Sequence, residues 1–322
     1  MQKRCKNQNF LYISIVCLLL FASIVAGCTT TTSPPTTIPP STAVTTQLTT
    51  TTVVSTPAQT TAVPVKTTAA SVTAATPVPN YTPSAKTLIV YTAASLKGVS
   101  GKLGTEFSKA YPGHTAVFNL DGTQALKTQV ENGAYADVFI SASNSYTNTL
   151  RSEGYFINST VKPLTTNYVI VILPVSNPGS IKSLSDLATP GKKIAMAASS
   201  VPVGTATYAA LANLAKSTYN QDWNRSVFSN VVTYETSEPG VATKVSLGEV
   251  DAGFVYESTY NAAPAGTLTA ITISKADNYL QTYTIGVMQQ TQNSGVAQEF
   301  EDFMLSSVGQ QILKDYGFRP FT

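Results

Sequence analysis

The chain has 322 residues, 43% hydrophobic and only 11% charged, with a formal net charge of +3 and a single histidine. That balance offers no basic surface for nucleic acid, and three cysteines are too few for a disulfide framework. One histidine also excludes a metal site built on several histidines.

Lys3, Arg4 and Lys6 precede an apolar run from Phe10 to Ala26, and the segment ends in Val25-Ala-Gly-Cys28. This is the pattern of a lipoprotein signal peptide over residues 1–28, with Cys28 the residue to be lipidated. An uncleaved membrane anchor is the alternative, because an apolar run of about 17 residues is just long enough to span a bilayer. Either way the chain is tethered outside the membrane. Cys5 and Cys17 lie within the leader, so the processed chain keeps Cys28 alone. Three of the 20 basic residues also lie there, which leaves the body as basic as it is acidic.

Residues 29–86 are Thr, Ser, Pro and Ala with almost no charge. Such a segment buries too little apolar surface to offset chain entropy, and its prolines favour extended polyproline II. It reads as a disordered stalk, on the order of 150–180 Å if fully extended and about 45 Å as a coil. Sequons begin at Asn80, Asn158 and Asn224.

The body from Lys86 to Thr322 alternates strand and helix signals. Thr87 to Tyr91 is a short β-branched apolar run that predicts a buried strand. Ser95 follows, at the position of an N-cap for a helix over Leu96 to Tyr111. The same device recurs where strand Ala116 to Asn119 runs into Asp121-Gly-Thr-Gln-Ala125, with Thr123 opening a second helix. A hydroxyl beside the free N–H groups of a first helical turn is a ready anion site, and two in succession suggest a convergent pocket. Further strands are predicted at Ala136–Ala142, Asn167–Leu173, Lys192–Met196, Val231–Tyr234, Ala252–Tyr256 and Tyr283–Met288. Helices are predicted at Tyr208–Lys216, Pro239–Leu247, Gly295–Leu305 and Val308–Tyr316. The alternation argues for an α/β fold with mainly parallel sheets.

Six segments, in order, resemble the periplasmic molybdate-binding proteins of ABC importers: Ala93-Ala-Ser-Leu96, Gly122-Thr-Gln-Ala-Leu126, Asn132 to Ala142, Val201-Pro-Val-Gly204, Gly248 to Tyr256 and Tyr316-Gly-Phe318. The resemblance implies a two-lobed periplasmic-binding-protein-like fold of type II, with two hinge crossings near Thr165–Asn167 and Gln281–Tyr283. Lobe one would hold residues 87–165 plus 283–322, and lobe two residues 166–282. It implies an oxyanion held by neutral donors: the hydroxyls of Ser95 and Thr123, the backbone amides of Val203 and Glu238, and the phenol of Tyr256. The ligand would be molybdate or tungstate, delivered to an ABC permease by a monomer that needs no cofactor, binds no nucleic acid and is not an enzyme. It would sit at the outer face of the cell membrane. All-donor ligation favours a fully deprotonated oxyanion over protonated phosphate, whose P–OH would lack an acceptor.

Two positions depart from that pattern. Gln124 stands where serine or a glycine-rich approach is usual, and Glu238 brings a carboxyl to a site for a dianion. The expectation for Glu238 is a side chain turned to solvent with only its N–H binding; the alternative is the arrangement of archaeal relatives, where carboxylates join the metal. Two other readings stand beside the leading one: sulfate or another tetrahedral oxyanion as ligand, and a stalked surface protein of structural or adhesive role with no small-anion ligand.

The remaining polar residues read as structural. His114 follows Pro112-Gly113 and is expected in an exposed loop. Asp137 is expected to bond backbone near the first binding loop, Gly248-Glu-Val-Asp251 to make a turn, and Trp223 to be a surface anchor or partial core residue. No glycine-rich loop with lysine is present for a nucleotide.

Overall fold

The computed structural model describes residues 86–321; the leader, Cys28, residues 29–85 of the stalk and Asn80 lie outside the described residues. Among the described residues no helix is long and apolar enough to cross a membrane.

The elements run β1 (Thr87–Ala93), α1 (Lys97–Ala110), β2 (Thr115–Asp121), α2 (Thr123–Glu131), β3 (Val138–Ser141), α3 (Asn144–Ser152) and β4 (Lys162–Pro174). Then come β5 (Ile194–Ala197), α4 (Pro202–Ser217), α5 (Gln221–Ser229), β6 (Val231–Glu235), α6 (Glu238–Ser246), β7 (Ala252–Tyr256) and α7 (Glu257–Asn261). The chain closes with β8 (Leu268–Thr272), β9 (Leu280–Val287), α8 (Ser294–Leu305) and α9 (Ser307–Asp315).

The strands follow the order β2-β1-β3-β9-β4-β7-β5-β6, with β8 on the far half of β4. Away from the middle the pairings are parallel: β1 with β2 and β3, and β5 with β6 and β7. They turn antiparallel where β4 and β9 join the two lobes. β4 pairs with β9 from Lys162 to Tyr168 and with β7 from Val169 to Ile172, so it leaves one lobe and enters the other within one residue. The fold is the two-lobed α/β architecture the sequence implies.

The period-2 geometry of β1 explains its unbroken apolar run. Leu88 and Val90 face the large core with Val99, Leu103 and Phe107 of α1, while Ile89 and Tyr91 face a second core with Leu126 and Val130 of α2 and Phe139 of β3. A strand covered on both faces has no polar side to show. In α1, Val99, Leu103 and Phe107 recur every fourth residue and make one buried stripe, each contributing about 2 kcal/mol of apolar burial.

Asp137 pins the start of this arrangement. It is fully buried and accepts hydrogen bonds from the Ile89 amide at 2.8 Å, the Tyr135 phenol and the Thr291 hydroxyl. Asp251 does the turn work expected of it, accepting from the Lys193 amide at 2.8 Å.

Several expectations change. Ser95 lies inside a short 3-10 turn, Ala94–Leu96, whose N-cap is Ala93, so it is not a capping residue. His114 is half-buried and its Nδ1 lies 2.7 Å from Glu299 of α8, which makes it a tether between β2's approach and that helix instead of an exposed loop residue. Trp223 is buried and stacks on Tyr219 with centroids 4.2 Å apart. α4 begins six residues earlier than predicted, because Pro202 occupies its first turn as a helix starter. α3, α5, α7 and β8 have no counterpart in the predicted set. α3 and α5 each bury only two side chains, and their signals are the caps Ser143 and Asn220, which accept from Tyr146 and Trp223 amides.

Candidate functional site

Ligands of open α/β sheets bind beyond the carboxyl ends of the strands, where successive connections diverge. Five such ends meet here. β1 leads into the turn carrying Ser95, β2 into α2 at Thr123, β5 into α4 at Val203, β6 into α6 at Glu238, and β7 ends on Tyr256. Between them lies a small cavity lined by these five residues, with Ala93, Ala94, Gly122, Ala142, Val201 and Pro202 completing the wall. All five residues singled out from the sequence therefore share one cavity. No lysine, arginine or histidine is among the lining residues, and among the described residues no group of three or more His, Cys, Asp or Glu could hold a metal ion.

The hydroxyls are polarised by their partners. Thr123 Oγ1 accepts from the Ala142 amide at 3.1 Å, so its hydrogen is left to point away from that amide. Ser95 Oγ lies 2.8 Å from the Tyr283 hydroxyl. Burial holds the Tyr283 phenol well above its usual range, so it stays protonated, and either hydroxyl of this pair can be the donor. The residue numbers of Ser95 and Tyr283 differ by 188, and nothing in the local pattern around Tyr283 marks it as part of a site.

The helix starts add amides. In α4 the first amide bonded back to the chain is that of Thr205, to Val201, and Pro202 has no N–H, so the Val203 amide belongs to the unsatisfied first turn. Gly204 is required here: a Cβ would collide with the Ala198 carbonyl oxygen, because the β5–α4 turn presses against the helix. Such helix starts carry partial positive charge.

Glu238 overturns its expectation. Its side chain does not face solvent; it is 3% exposed and lies in the cavity wall. Oε1 accepts from the Tyr256 amide at 2.6 Å and the Thr259 hydroxyl at 2.7 Å, while Oε2 is buried without a hydrogen-bond partner among the described residues. Burial raises the carboxyl from the usual 4.5 to about 7, against the two hydrogen bonds that favour its charge. Thr259, which helps turn the side chain inward, was not singled out from the sequence.

Tyr256 presents its ring to the cavity, but its hydroxyl already donates to Gln281 Oε1 at 3.3 Å. Burial keeps this phenol protonated as well. Two hydrogen bonds cross from lobe to lobe beside the cavity: Gln124 Nε2 donates to the Thr236 carbonyl at 2.8 Å, and the Tyr146 hydroxyl donates to the Ser200 carbonyl at 2.7 Å. Gln124, the departure noted in the sequence, thus ties α2 to the turn before α6.

Two lobes hinged on crossing strands and closed over a polar cavity define a solute-binding protein. The chain belongs to the bacterial extracellular solute-binding protein family, whose model matches residues 88–319. Among its relatives, the molybdate-binding protein ModA of Mycobacterium tuberculosis is 30% identical over 237 residues, covering 74% of this chain and 86% of that protein. The solved substrate binding domain of a putative molybdenum ABC transporter from Clostridium difficile is 27% identical, with a TM-score of 0.57 over 73% of this chain and 99% of that one. The sulfate-binding protein SubI of Mycobacterium tuberculosis shares the fold, with a TM-score of 0.64 at 16% identity over 73% of this chain and 87% of that one.

The raised Glu238 carboxyl has a consequence for stability. A group protonated more readily in the folded than in the unfolded chain stabilises the fold at low pH, and that stability is lost as pH rises through the folded value. Relative to Glu238→Gln, the unliganded wild type should lose on the order of 3 kcal/mol between about pH 4.5 and about pH 7. Urea denaturation of both proteins across this range measures the difference. Parallel stability profiles would contradict the assignment.

Proposed function

We propose that this protein is the capture subunit of an ABC importer and that its ligand is a tetrahedral dianion, molybdate or tungstate. One observation carries the reading: the residues lining the cavity offer hydroxyls, helix-start amides, one buried tyrosine and one buried carboxyl, with no cation among them. Fixed neutral donors replace the water around an oxyanion without the irreversible grip of a salt bridge. Ser95 and Thr123 donate O–H, Val203 and Glu238 donate N–H, and Tyr256 closes the wall. The molybdate-binding relative and the molybdenum-transporter domain support the same ligand. Ser95 has a phenol and no imidazole as its partner, which supports binding over hydrolysis. Sulfate is the second reading, favoured by the fold shared with a sulfate-binding protein.

The protein acts outside the membrane as a monomer, without a cofactor, and Cys28 carries the lipid anchor. Lobe one spans residues 87–165 and 283–322, lobe two residues 166–282. In cells, Cys28→Ser should leave the protein soluble or its leader uncut; a normally processed, membrane-bound product would reject the anchor.

Calorimetry with molybdate, tungstate and sulfate tests the ligand. Ser95→Ala and Thr123→Ala should each weaken molybdate binding by about 1–3 kcal/mol, the cost of an unmet charged acceptor. Tyr256→Phe should cost less, about 1 kcal/mol or under, because its hydroxyl already has an acceptor in Gln281. Wild-type affinity in both hydroxyl variants would remove the cavity from consideration.

A further inference from the structure

Glu238 is the one group in the cavity wall that the proposed ligand does not explain. A carboxylate beside a dianion, with no cation among the lining residues, is a repulsive arrangement. Its Oε1 is fully engaged by Tyr256 and Thr259, which fixes the carboxyl plane. Its Oε2 is buried with no partner among the described residues, on a residue that lines the cavity. A buried acceptor left unsatisfied is costly, whereas a protonated oxygen there has a natural acceptor in an anion oxygen.

We propose that Glu238 couples anion capture to a proton: the cavity takes its oxyanion together with one proton, which sits on Glu238 Oε2 and is donated in a hydrogen bond to an anion oxygen. No bond to the metal forms and no covalent bond breaks. Glu238 is thereby a specificity residue, an O–H donor toward an anion that has no proton of its own. The inference rests on the oxyanion reading above.

The surroundings supply no competing charge. From β7 the neighbouring titratable group is the Tyr256 phenol and from β9 the Tyr283 phenol, both held protonated by burial. α7 contributes the Thr259 hydroxyl, and its Glu257 is paired with Arg319. On α6 itself Lys244 is engaged with Glu249, and Glu235 of β6 is held by Thr233 at 2.7 Å. On β4, Lys162 pairs with Glu301 and Tyr168 lies under Arg319. The strand β5, Ile194–Ala197, carries no titratable side chain. With the carboxyl raised to about 7, protonation is available at neutral pH and withdrawn above it.

The test is calorimetric titration of the purified protein with sodium molybdate from pH 6 to pH 9, in two buffers of different ionisation enthalpy. Molybdate remains a dianion across this window. The dissociation constant should be flat below about pH 7 and rise about tenfold per pH unit above it, with close to one proton taken up per anion at pH 8. Glu238→Gln should bind about three- to tenfold more weakly at pH 6, since an amide is a weaker donor than a carboxylic acid, and should lose both the pH slope and the proton uptake. A wild-type affinity that is constant or tightens as pH rises would overturn the proposal, as would a slope that persists in the glutamine variant. The wild-type proton count decides the matter even if the variant does not fold. Absence of binding to molybdate, tungstate and sulfate at every pH would overturn the oxyanion reading and this inference together, whereas pH-independent binding would overturn this inference alone.

Discussion

The doubly charged anion proposed as ligand would have to be met by something once out of water, and the residues lining the cavity include no cation to meet it. That constraint organises the site. The candidate donors are held by the fold: Thr123 accepts from the Ala142 amide, Ser95 is hydrogen-bonded to the Tyr283 phenol, and Pro202 starts α4 so that the Val203 amide falls in the first turn, without a partner among the described residues. Preorganised dipoles in a dry cavity act more strongly than the same groups in water, because little reorganisation is needed when the ligand arrives. The wall comes from both lobes, which β4 and β9 and the hydrogen bonds of Gln124 and Tyr146 connect.

The same constraint makes Glu238 the most consequential residue of the cavity. Unit charges 4 Å apart at an effective dielectric of 20 interact by about 4 kcal/mol, and a dianion doubles this. An ionised Glu238 would oppose the ligand that the other donors favour. A protonated one, as proposed above, would join them, while the Tyr256 amide and Thr259 hydroxyl hold its other oxygen in place.

Two strand ends of the site were legible from local chemistry, because each couples an apolar run to a hydroxyl at a helix start; Val203, Glu238 and Tyr256 were reached only through the resemblance to the molybdate-binding proteins. Ser95 and Thr123 stand out in that way, whereas the helix start at Val201-Pro-Val-Gly204, where only glycine fits against the Ala198 carbonyl, was placed six residues too late by local pattern. What local pattern does not carry is the direction of a side chain. Glu238 at the first position of α6 can turn outward or inward, and the choice is made by the Tyr256 amide and Thr259, about twenty residues away. Tyr283 lies much farther along the chain from the serine it orients, and within a buried strand it reads as core. α3 and α5 escaped for a different reason: helices that bury two side chains each leave almost no periodic signal.

Anomalous scattering at the molybdenum edge, from crystals grown with molybdate, locates the bound anion relative to the inter-lobe cavity. The expected result is a single strong peak, enclosed by Ser95, Thr123, Val203, Glu238 and Tyr256, at hydrogen-bonding distance through its oxygens and with no protein atom bonded to the metal. A fully occupied crystal with its peak elsewhere, or with the metal bonded to the Glu238 carboxylate, would contradict it.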